Sequence, residues 1–102
     1  MSTITMQEHK ELINSLIELN GIIDEMKKIS SDMLLTWQEN EICDWLNYLE
    51  KHTDKEELKS LEIEIGDRFF YKYNVRIEPV NLDKQRLNVF QNFIARLNSA
   101  LK

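Results

Sequence analysis

The sequence predicts an all-α protein, an antiparallel four-helix bundle, and three observations carry that expectation. Only two glycines and one proline punctuate 102 residues, too few for the tight turns of an all-β chain. Apolar residues recur at three and four residues through most of the chain, which is the period of one helical face. Side chains that cap helices stand ahead of each such run. With 42% hydrophobic and 30% charged residues, the length suits one domain, 1–102, built on one core.

The first helix is expected over residues 5–29. Thr5 and Glu8 have the spacing of a capping box, in which each side chain satisfies a free backbone N–H of the other. Leu12, Leu16, Leu19, Ile23 and Met26 form the core stripe, widened by Ile13, Ile17 and Ile22. Gly21 falls opposite that stripe, where it weakens or kinks the helix. Ser30 to Asp32 mark a stop and a restart, and the second helix is expected over 31–52. Because no Gly or Pro stands there, a single bent helix over 5–52 is the alternative. Leu35, Ile42, Leu46 and Leu49 line the inner face of the second helix, flanked by Leu34 and Trp45.

The third helix is expected over 54–73, led by Thr53 with Glu56 and Asp54 with Glu57 as overlapping caps. Here a competing arrangement exists, three helices plus a β-hairpin at about 60–77, because Leu61, Ile63 and Ile65 alternate with glutamates and aromatic residues alternate beyond Gly66. Its register argues against it. A two-residue loop at Gly66 and Asp67 would set Ile65 against Arg68 and Leu61 against Lys72, and a three-residue loop would put Gly66 away from the left-handed position. As a helix, the segment gathers Leu58, Leu61, Ile65 and Phe69 in one stripe, with Gly66 on its flank where a neighbour could approach closely. Acids lead it and Arg68 and Lys72 end it, as the helix dipole favours. Asn74 then ends the helix, Pro79 keeps its predecessor extended, and the fourth helix is expected over 82–101 after a cap at Asn81 or Asp83. Its stripe is Leu87, Phe90, Ile94, Leu97 and Leu101.

Charge is divided unevenly. Residues 1–67 carry 16 acidic and 6 basic side chains, whereas residues 68–102 carry 2 acidic and 7 basic ones. Complementarity between packed helices, association of copies, or a charged partner would each satisfy that division. No window has the roughly 18 apolar residues of a membrane span, and the N-terminus lacks the pattern of a leader, so a cytoplasmic location is expected. The lone Cys43 forms no internal disulfide and reads as a small filler.

The sequence has no glycine-rich phosphate loop, nucleophile elbow, CxxC or HExxH. Glu8 directly precedes His9, and Glu50 lies two before His52, so neither histidine has the spacing of a di-metal bundle. Both histidines are expected to be partly exposed, and no catalytic residue, metal or cofactor is expected. Nucleic acid is disfavoured as a partner: Lys84 and Lys102 lie almost opposite Arg86 and Arg96, so the basic residues of the last helix read as solvated surface.

One pattern departs from ordinary surface composition. Trp37, Glu41, Asp44 and Tyr48 share a face of the second helix, opposite Leu35, Ile42 and Leu46, and are expected to point outward as a partner-binding face. Tyr71, near Arg68, is a further candidate. The expected function is that of a non-enzymatic module that inhibits, neutralises or chaperones a protein with a basic surface, in the manner of an immunity protein, an antitoxin or a phage-type inhibitor. The alternative is a structural subunit of a homo-oligomer, a homodimer included.

Overall fold

Four helices account for the chain: α1 (Met6–Ile29), α2 (Met33–Lys51), α3 (Lys55–Lys72) and α4 (Val80–Ala100). A computed structural model describes the backbone of residues 2–72 and 75–102, and the side chains of 2–66 and 75–102. The segment 61–72 is helical, and no strand forms among the described residues, so the bundle replaces the hairpin alternative. Residues 30–32 break the first two helices apart. Phe69, expected in the apolar stripe of α3, and Asn74, expected to end that helix, lie outside the described side chains.

Local chemistry sets the boundaries. Glu8 N donates to Thr5 Oγ1 at 3.0 Å while Thr5 N donates to Glu8 Oε1 at 2.8 Å, completing the capping box of α1. Asp32 caps α2 by accepting from Leu34 N at 2.9 Å, and Asp54 accepts from Glu56 N at 2.8 Å ahead of α3. For α4 the expected caps were not used. The helix begins at Val80, with Pro79 as N-cap and no side-chain cap, because proline's fixed φ suits a helix entrance and its missing N–H costs nothing there.

The helices run alternately up and down, with α1 packed most extensively on α4 and next on α2, while α3 touches both α2 and α4. Thus α2 and α4 face each other across a diagonal, where Trp45 and Phe90 meet with ring centroids 5.8 Å apart. A single apolar cluster joins all four helices, and Ile4 and Ile77 from outside them are buried in it. At one end, Ser2 to Ile4 runs antiparallel to the α2–α3 corner, with Ile4 N on Thr53 O at 3.0 Å and Lys55 N on Ser2 O at 2.9 Å. His9 Nε2 reaches Leu49 O at 2.7 Å, and both His9 and His52 are half-buried as expected.

Two stripes differ from their sequence reading. On α2 the buried row is Leu35, Gln38, Ile42, Trp45 and Leu49, which places Trp45 in the core and leaves Leu46 half-buried. On α4 it is Arg86, Phe90, Phe93, Leu97 and Ala100, one residue ahead of the expected row at three positions. Both rows admit a polar residue, Gln38 or Arg86, which a purely apolar pattern passes over. Arg86 is therefore core and not solvated surface. The glycines also differ from expectation: α1 is continuous through Gly21, and a Cβ at Gly21 or Gly66 would meet nothing within 4 Å. Neither admits a close neighbour within the fold.

Candidate functional site

Of Trp37, Glu41, Asp44 and Tyr48 on α2, Tyr48 meets α3. Tyr48 Oη donates to Glu57 O at 2.9 Å, and its ring lies over His52 with centroids 4.1 Å apart. His52 Nδ1 in turn meets the Glu57 carboxylate. Burial, and secondarily the charges of Glu57 and Glu64, push the Tyr48 hydroxyl above its ordinary value. Glu41 is buried at 8% exposure, Trp37 and Tyr48 are half-buried, and only Asp44 stands fully exposed. The expected face is thus only partly open to solvent, with its aromatic rings half-buried and one of its two acids buried. The helix buries a wider arc than its apolar stripe alone would require. Tyr71 lies outside the described side chains.

The opposite edge of α2, toward α1, has a different character. Ile13, Asn20 and Lys27 recur every seven residues along α1, and Glu39 and Leu46 do so along α2, a spacing that keeps each row on one side of its helix. Lys27 Nζ meets Glu39 Oε1 at 3.2 Å and joins the rows at one end. His9 on Leu49 O joins them at the other. One heptad from the Lys27–Glu39 pair, Asn20 is level with Leu46, and Ile17 and Cys43 flank them on the outer side.

This seam has an apolar centre, since Ile17 is 56% exposed, Cys43 is exposed, and Ile13 and Leu46 are half-buried against the core. Asp24 on α1 and Glu50 on α2 stand exposed along it. Two oxygens in it, Asn20 Oδ1 and Glu39 Oε2, are buried without a hydrogen-bond donor among the described residues. Apolar contact at the centre and charge-assisted hydrogen bonds at the rim are the chemistry this face offers.

A cleft of about 250 Å³ lies between α1 and α4, lined by Glu8, Glu11, Ala95, Arg96 and Ser99. Its polar groups are occupied from within: Arg96 Nη1 donates to Ser15 Oγ at 2.7 Å, and Glu8 serves the capping box. Among the described residues no cluster of His, Cys, Asp and Glu is placed to hold a metal, and no helix is long and apolar enough to cross a membrane.

The fold defines the class, an antiparallel four-helix bundle. Compared with known protein families, curated proteins and solved structures, the chain matches none.

The signal for the seam was present in the sequence as the heptad rows, but Ile13 and Ile17 read there as wider core. Only packing separates an isoleucine at the margin of a stripe from one inside it.

Proposed function

We propose that this domain acts by binding a protein, and that the partner presents an apolar side chain ringed by basic ones to the face between α1 and α2. The observation that carries the reading is Ile17, 56% exposed on the α2 side of α1, with Ile13 and Leu46 half-buried along the same seam and Asp24 and Glu50 exposed on the two helices. Arginine or lysine of the partner would meet the exposed carboxylates of Asp24 and Glu50. A domain that covers a basic surface in this way would inhibit, neutralise or chaperone its partner.

The test uses Cys43, the only cysteine, as the attachment point for a photo-crosslinker in native extract. The expected product is a cross-link to a basic protein that disappears with Ile17→Asp and persists with Trp37→Ala and Tyr48→Ala, all variants remaining helical by circular dichroism. A cross-linked partner indifferent to Ile17→Asp, or lost with Trp37→Ala alone, would move the site to another face.

A further inference from the structure

The outer face of α4 differs from every other surface of the molecule. Its exposed residues include Asn81, Gln85, Asn88, Gln91, Asn92 and Asn98, with Ala95 and Ser99 among them. No exposed residue of this helix is acidic, in a protein with 18 Asp and Glu. From Gln85 to Ala95 the exposed positions carry no charge at all. A solvated helix face ordinarily uses Glu and Lys, which are better helix formers than Asn. Asparagine at three interior positions therefore works against the helix, and among the described residues no hydrogen bond uses these side chains.

We infer that this face docks on the same face of a second copy of the chain, α4 against α4 in antiparallel order. A two-fold interface must be complementary to itself. Amides satisfy that condition because each group both donates and accepts, so identical side chains pair across the axis. Acidic faces do not. The α1 surface, with Glu11, Glu18, Asp24 and Glu25 exposed, would repel its own copy. About an axis between Gln91 and Asn92, the antiparallel order sets Lys84 against Ser99 of the second copy and Asn88 against its small Ala95. The lysines thus never meet each other. Interface centres are depleted of charge, as this face is. Its 21 residues span about 31 Å, which limits the buried area to the low end for specific contacts and makes the dimer a reversible one.

Sedimentation equilibrium of the full chain, from micromolar to about 1 mM, tests the proposal. The expected result is a concentration-dependent dimer insensitive to salt. Gln91→Glu places like charges across the axis and should weaken the dimer at least tenfold, and Gln91→Lys should do the same. Mixing the two variants should restore association as a heterodimer. Ile17→Asp, on the separate α1–α2 face, should leave the dimer unchanged, so failure here is distinct from failure of the partner-binding reading. A chain that stays monomeric throughout the range, a dimer indifferent to charge at position 91, or a dimer dissolved by salt overturns the inference.

Discussion

Arg86 Nη1 donates to Gln38 Oε1 at 2.5 Å across the diagonal of the bundle, with both side chains buried. The guanidinium also donates through Nη2 to Asp83 Oδ1 at 2.6 Å and to Val75 O at 3.0 Å. One planar fork thereby ties α4 to α2 and fastens the connection that precedes α4. Placing an arginine in a core is costly unless its donors are met, and the position of Gln38 in the facing stripe meets one of them. Gln38→Leu should lower stability by about 1–3 kcal/mol by removing an acceptor from a buried cation. Arg86→Met should cost about 3 kcal/mol. The two changes together should cost less than their sum in urea unfolding followed by tryptophan fluorescence, because each removes the same bond. Additive losses would show that the pair does not act as a unit.

Gly21 lies exposed within a continuous helix, and a Cβ there would meet nothing within 4 Å. Its backbone has no positive φ, so alanine can adopt the same conformation. Gly21→Ala should raise stability by about 0.5–1 kcal/mol through reduced freedom of the unfolded chain. A loss of stability in the same unfolding measurement would reveal a constraint on α1 that the packing does not show.

What the sequence made legible was the backbone scale of the fold. Helix periods and caps located all four helices to within a few residues, because capping and amphipathic burial act locally. Rotation about each helix axis was harder to read. On α4 the expected stripe and the buried one share Phe90 and Leu97, and the difference lies in Arg86, Phe93 and Ala100, where Leu87, Ile94 and Leu101 looked equally apolar or more so. Which of two adjacent rows turns inward depends on what the facing helix offers, and Gln38 is a contact 48 residues away. Exposure was hard to read for the same reason. Tyr48 lies opposite an apolar stripe and so looks exposed, until α3 comes beside it and occupies the tyrosine hydroxyl.

Glu8 closes the capping box, and the two hydrogen bonds with Thr5, that to the backbone N–H first, hold its carboxyl below the ordinary value of 4.5. A folded-state value below the unfolded one means that the stabilisation is complete above pH of about 4.5 and is lost as pH falls through the folded-state value. Glu8→Gln removes that titration. The stability difference between the native chain and Glu8→Gln should thus be flat near neutrality and shrink steadily on acidification below pH of about 4.5. A difference that stays constant down to pH of about 3 would show that the carboxylate charge does not contribute at the α1 entrance.

Tyr48 has the opposite sign. Burial and the nearby Glu57 and Glu64 raise its hydroxyl above 10.0, so the folded state holds the phenolic proton more firmly than the unfolded chain does. The contribution of the neutral hydroxyl is complete below that value and falls as pH rises through it. Tyr48→Phe loses the bond to Glu57 O, at a cost of about 0.5–1 kcal/mol near neutrality. It should also unfold less steeply with pH above about 10 than the native chain. Parallel alkaline profiles for the two proteins would sink the argument.

Cys43 stands exposed on α2, where a small filler was the expectation from sequence. A thiol that needs no opening of the fold should react with a maleimide or an aromatic disulfide at a rate independent of stability, whereas a buried one waits for local unfolding. Adding urea below the unfolding midpoint should leave the labelling rate of the native chain almost unchanged. The same label should leave helicity intact, because the side chain fills no space in the core. Cys43→Ser should accordingly shift stability by less than about 0.5 kcal/mol, the range usual for surface substitutions. Slow labelling that accelerates with urea would place the thiol inside the bundle.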